Sequence, residues 1–191
     1  MNLSEMTNGF VSNNSKTLIF PEFHQTHYYD CVASGLVSIL AANNITAREN
    51  DIMRMAGTTK ENGTDPIGVV RVLRHFKIPH KCWKMMPQDL RNAIEAGHPV
   101  LLMLQAYRDN PSIPYSDCLD DGHSVICIGY DRAKFVFEDP ASSTRTWLDE
   151  RELLKRWHDT DISGNRFNNW GCEILTKQPF ASKPVESIPM Q

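Results

Sequence analysis

The apolar residues of this chain change their period near its middle. Between positions 31 and 76 they recur at helical spacing in three blocks. In the first, Val32, Ala33, Leu36, Val37, Ile39 and Leu40 fall at i, i+3, i+4 and i+7 separations. That pattern predicts an amphipathic helix, and small Ala33, Ser34 and Gly35 suit it to close packing. Asp30 stands as its N-cap and Asn43-Asn44 as its stop. A second helix is predicted from Thr46, with Ile52, Met53 and Met55 inward and Gly57 as the residue that ends it. After the Asn62-Gly63 turn, Thr64 or Asp65 caps a third, with Pro66 near its first position and Val69, Val70, Leu73 and Phe76 on its apolar face.

From about residue 79 the runs become short and strand-like. Segments 81–85 and 99–105 read as strands on either side of a helix, 87–96, closed by Gly97. A polar loop, 107–121, leads into two apolar runs, 123–130 and 134–139. Asp131-Arg132-Ala133 joins them as a β-hairpin turn. A helix over 149–157 and a strand over 172–176 complete the body. Ahead of it, residues 1–16 read as a flexible arm, followed by a short strand over 17–20. Behind it, 177–191 holds Pro179, Pro184 and Pro189 and is expected to be disordered. The whole is an α+β arrangement: one domain, 17–176, with a helical lobe over about 17–78 and a sheet lobe over about 79–176.

Composition alters this picture little. With 191 residues, 41% of them hydrophobic and 23% charged, the chain can bury a sizeable core. A net charge of −3 and no run of like charge speak against a nucleic-acid partner. The first sixteen residues lack the basic and apolar regions of a signal peptide, and no apolar run is long enough to span a bilayer. The five cysteines (Cys31, Cys82, Cys118, Cys127 and Cys172) are scattered, odd in number and free of CxxC pairs. Neither a disulfide framework nor a zinc ribbon is expected, and Cys82, Cys127 and Cys172 fit the core. The expected location is the cytoplasm, or outside the cell by a route without a cleaved signal peptide.

Candidate chemistry begins at Cys31. In the first turn of a helix, unpaired backbone N–H groups and the positive end of the macrodipole favour a thiolate. A cysteine there is either a nucleophile or a small buried residue, so a base must be found. His123 opens a strand after Gly122, and Asp139 closes the next strand before Pro140. The two lie nearly symmetrically about the hairpin turn, so antiparallel pairing brings them toward one end of it. Read one at a time, each has a plain structural explanation: a strand-start histidine bonded to backbone, a turn-forming aspartate. His24, His27 and Cys31, or Cys118 with His123, lack the spacing of a familiar zinc site, and no metal or cofactor is expected.

In their order along the chain, Gln25 with Asp30-Cys31 at a helix start, Gly122-His123 opening a strand and Asp139-Pro140 closing the next resemble the C39-type branch of the papain-like cysteine peptidases. Gly63-Thr64 before a helix, with Leu73 and Ile78 after it, adds to the resemblance, which spans about 17–176. It implies a papain-like fold, with the cysteine helix in one lobe, His and Asp on the sheet of the other, and a peptide or protein substrate between. Carried over residue by residue, Cys31 is the nucleophile, His123 the general base and acid and Asp139 the orienting carboxylate. Gln25 assists the Cys31 backbone N–H in stabilising an oxyanion. Val32 departs from the Gly common after the cysteine in that branch. Members known for cutting double-glycine leaders are fused to transporters, and this chain has no membrane span, so their substrate does not carry over. The same fold and triad also serve deamidation and acyl or peptidyl transfer, and a catalytically silent binding module is a further alternative.

Overall fold

The structure is a computed structural model, and it describes residues 15–132, 134–182 and 185–191. The predicted arm lies mostly outside these residues. Its last part forms β1 (Ser15–Thr17), two residues ahead of the expected strand. Three helices follow: α1 (Cys31–Ala42), α2 (Glu49–Ala56) and α3 (Pro66–His75). Helix α2 starts later than its apolar pattern suggested and ends at Gly57 in the left-handed region, at φ 76°. Helix α3 has Asp65 at its N-cap position and proline in its first turn, as read from the sequence.

The second half is a sheet with two helices. Its strands are β2 (His80–Lys84), β3 (Val100–Gln105), β4 (Gly122–Asp131), β5 (Lys134–Glu138), β6 (Arg145–Asp149), β9 (Trp170–Ile174) and β10 (Ser187–Pro189). In space they run β10-β6-β5-β4-β3-β9-β2, and β1 pairs with the far end of β4. All these pairings are antiparallel except that of β10 with β6. Helices α4 (Pro87–Glu95) and α5 (Glu150–Arg156) and a small ribbon, β7 (His158–Thr160) with β8 (Arg166–Asn168), complete the body.

The α+β reading therefore holds, with a helical half followed by a mostly antiparallel sheet. Helix α1 is buried over its first ten residues and lies on β4, where Gly35 meets the Ile126 side chain. A Cβ at Gly35 would sit 3.7 Å from Ile126 Cδ1, ordinary contact and no more. Apolar side chains of α1, β3, β4 and β5 form one continuous core, which fixes the N-terminus of α1 against the near end of β4. One register shift interrupts the hairpin. Between Cys127 and Gly129 strand β4 carries a bulge, with Ile128 as the additional residue.

Two expectations need correction. The tail is not disordered among its described residues, 177–182 and 185–191. Ile19 N–H donates to the Pro179 carbonyl, β10 adds to the sheet edge at β6, Met190 is buried, and the Gln191 carbonyl accepts from Tyr107 N and Arg156. Prolines weighed against order in the sequence, but proline is tolerated at a sheet edge, where one side of the strand needs no donor. The cysteines also differ from expectation. Cys82 and Cys172 face each other on paired strands β2 and β9 and are joined by a disulfide, leaving Cys31, Cys118 and Cys127 free.

Candidate active site

Cys31 is the first residue of α1 and is buried. Asp30 occupies the N-cap position but does not cap. Its carboxylate turns back onto the preceding loop, accepting from His27 N at 3.0 Å and pairing with His27 Nδ1 at 2.9 Å. No side chain caps the helix, so its first N–H groups remain open around the Cys31 thiol.

His123 is the second residue of β4 and is also buried. One ring nitrogen, Nε2, lies 2.8 Å from Asp139 Oδ1. Cys31 is the second neighbour that favours the protonated form of the same imidazole, and both line one groove. With Nε2 committed to a carboxylate, which only accepts, Nδ1 is the nitrogen left to exchange a proton with sulfur. Burial on its own disfavours the imidazolium. The bonds and negative charge of Asp139 and Cys31 outweigh that, and the His123 pKa is pushed up to about 10.

Asp139 directly follows β5 and is almost wholly buried. Oδ1 accepts from His123 and from Ala141 N at 3.1 Å. Oδ2 accepts from Tyr107 Oη at 2.7 Å and from Thr146 Oγ1 at 3.0 Å. Burial pushes its carboxyl pKa up, and the bonds and charge of these neighbours bring it below the usual carboxylate range. Tyr107 also stands edge-on to the imidazole, with centroids 5.3 Å apart. The sequence placed Tyr107 only at the start of the polar 107–121 loop and gave Thr146 no part. Their supporting role had no local signal, because each meets Asp139 through the fold alone.

Removing the Tyr107 hydroxyl tests that support. Tyr107→Phe keeps the ring against His123 and deletes one donor to a buried carboxylate, worth about 1.5–3 kcal/mol. The expected outcome is a lower melting temperature than wild type at neutral pH, with the difference narrowing as pH falls and Asp139 takes up its proton. An unchanged melting temperature would count against the role assigned to Tyr107.

Gln25 is placed differently from the other three. Its Nε2 donates to the His27 carbonyl at 2.9 Å, and its backbone N–H donates to the Pro140 carbonyl. It sits beside the site and does not line the groove. That groove, about 320 Å³, runs between the helical half and the sheet and is lined by Tyr28, Cys31, Gly63, Met103, His123 and Asp159, among others. Part of the 107–121 loop, at Leu119 and Asp120, also reaches it. Asp159 was not singled out by the sequence; a lone aspartate in a short strand offers no signal. Among the described residues no group of three or more His, Cys, Asp or Glu side chains is arranged to hold a metal ion.

Residues 17–163 match the Peptidase_C39 like family. No curated protein matches the sequence. Among solved structures, a protein of Bacillus anthracis described as a C39-like peptidase is similar at 12% identity and TM-score 0.63, covering 85% of this chain and 98% of its own. The peptidase domain of Streptococcus ComA, a bifunctional ABC transporter involved in quorum sensing, is similar at 14% identity and TM-score 0.61, over 84% of this chain and 98% of that one. A double-glycine motif protease from an AMS/PCAT transporter, solved with its leader peptide, is similar at 16% identity and TM-score 0.59, over 86% and 94%.

Proposed function

Since the chain belongs to the Peptidase_C39 like family of cysteine peptidase-like hydrolases, we propose that it hydrolyses a peptide bond through Cys31, His123 and Asp139. The observation that carries this reading is the relay itself. A thiol at an uncapped helix N-terminus shares a groove with an imidazole whose Nε2 is held by a buried carboxylate, and it acts on that imidazole's protonation.

The proposed steps use this chain's own groups. Cys31 sulfur, its proton held by His123, attacks the carbonyl carbon of the scissile bond. The oxyanion is met by the Cys31 backbone N–H, and by the Gln25 amide once it turns from the His27 carbonyl. Collapse expels the amine, which takes the proton from His123, and a thioester remains on Cys31. His123 then draws a proton from water as it attacks the thioester, and the acid leaves with the thiol restored. Asp139 keeps the imidazole in the tautomer this sequence needs. A peptide substrate is supported by the open groove beside Cys31 and by the family, one of whose structural neighbours was solved with a leader peptide.

Two measurements test the reading. Brief exposure to iodoacetamide at neutral pH is expected to alkylate Cys31 well before Cys118 or Cys127, the other free thiols, as read by peptide mass mapping. Incubation with a peptide library is expected to yield two fragments per substrate. A product heavier by about one dalton would instead mark deamidation by the same acyl chemistry. Cys31 labelling no faster than that of Cys118 and Cys127 would overturn the thiol mechanism.

A further inference from the structure

The groove floor holds a carboxylate that the proposed chemistry does not use. Gly122 and Ser124 alternate with His123 along β4 and face the side shared by Gln105 and Met103 of β3. Asp159 of β7 packs on that side against Gly122. A Cβ added at Gly122 would lie 2.8 Å from both carboxylate oxygens, so glycine here makes room for the acid one residue from His123. Oδ1 is held by Thr160 N at 2.8 Å and Gln105 Nε2 at 3.1 Å. Among the described residues Oδ2 has no hydrogen-bond partner, and Asp159 lines the groove together with Cys31 and His123.

We infer that Asp159 is a specificity determinant which receives a basic side chain of the substrate, lysine or arginine, within two residues of the scissile bond. This rests on the peptidase reading above. One oxygen is anchored and the other left free, which is the arrangement of a fixed acceptor awaiting a donor. The rest of the lining agrees in sign: Glu61, Asp120 and Asp161 are acidic, and Lys60 is the only lysine or arginine. Burial pushes the Asp159 pKa up to about 7, against the bonds from Thr160 and Gln105 and the positive charge of His123, so a further cation arriving beside it completes its ionisation. An apolar side chain of the same length would leave the carboxylate desolvated and unpaired, and that cost falls on the wrong substrate.

The test uses tripeptidyl chloromethyl ketones carrying lysine or norleucine at the first or second residue before the electrophile. Each alkylates the reactive thiol with loss of chloride, so the rate at Cys31 can be followed by intact mass whatever the natural substrate. In wild-type protein, lysine is expected to exceed norleucine at least about 10-fold at one of the two positions. The ratio is expected to fall to near one in Asp159→Asn and below one in Asp159→Lys. Equal rates for the two probes at both positions, or a lysine preference kept by Asp159→Asn, would overturn the inference while leaving the peptidase reading in place. Failure of every probe, together with unselective iodoacetamide labelling, would overturn both.

Discussion

Cys31→Ala is expected to reduce peptide cleavage by about 10⁶-fold, the scale on which loss of a nucleophile removes the whole covalent route. The variant should fold normally. Alanine is a better helix former than cysteine, and the site it leaves is small and at the edge of the core. It should also change its partner. Part of what raises the His123 pKa is the bond and negative charge of Cys31, so histidine titration in Cys31→Ala is expected to move down from about 10. Cleavage assays give the first result and NMR of the imidazole the second. A variant that still cleaves at a wild-type rate would remove Cys31 from the mechanism.

The second large effect is expected at Asp139. In Asp139→Asn, neither orientation of the amide suits its neighbours. If its oxygen accepts from His123 Nε2, its NH₂ confronts the hydroxyls of Tyr107 and Thr146, both of which now donate to Oδ2. If it is turned over, the NH₂ faces Nε2 and forces the proton onto the nitrogen that must receive one from sulfur. A fall in kcat on the order of 10³–10⁴ is expected, the loss that accompanies a wrong tautomer. The pH dependence should change as well. With its folded pKa raised to about 10 from an ordinary 6.5, His123 contributes stability that is complete below 6.5 and lost as pH rises through about 10. In Asp139→Asn that loss, and the basic limb of Cys31 alkylation, should begin at lower pH. Melting temperatures and alkylation rates between pH 5 and 10 would show it, and superimposable profiles would argue against the carboxylate's assigned role.

The parts of this site readable from sequence are those written in one stretch. Cys31 announces itself because a helical apolar pattern starts at its position, His123 because it opens a short apolar run after Gly, and Asp139 because it closes one before Pro. What could not be read depends on partners far along the chain. Cys82 and Cys172 are separated by 90 residues, and nothing in either neighbourhood specifies that their strands pair in register. β10 is three residues long and exists because β6 offers an edge to it. Asp30 had the right identity for a cap, yet His27 competes for its carboxylate more favourably than the helix does. Asp159 gains its meaning only from the glycine opposite.

The bulge in β4 bears on the relay more than its size suggests. Nearest the turn, Tyr130 pairs with Phe135 and Gly129 with Val136; beyond Ile128, Cys127 pairs with Phe137 and Ile126 with Glu138. Continuing each register to position 139, Asp139 falls opposite Val125 with the bulge in place, and would fall opposite Ile126 if Ile128 were paired in an unbroken ladder. Val125 is two residues from His123 and shares its face of the sheet; Ile126 is three away and does not. Ile128 thus acts as a parity switch. Were it drawn into the ladder opposite Phe137, cysteine, histidine and aspartate would all remain in the sequence, with the acid and the base on opposite sides of the same sheet.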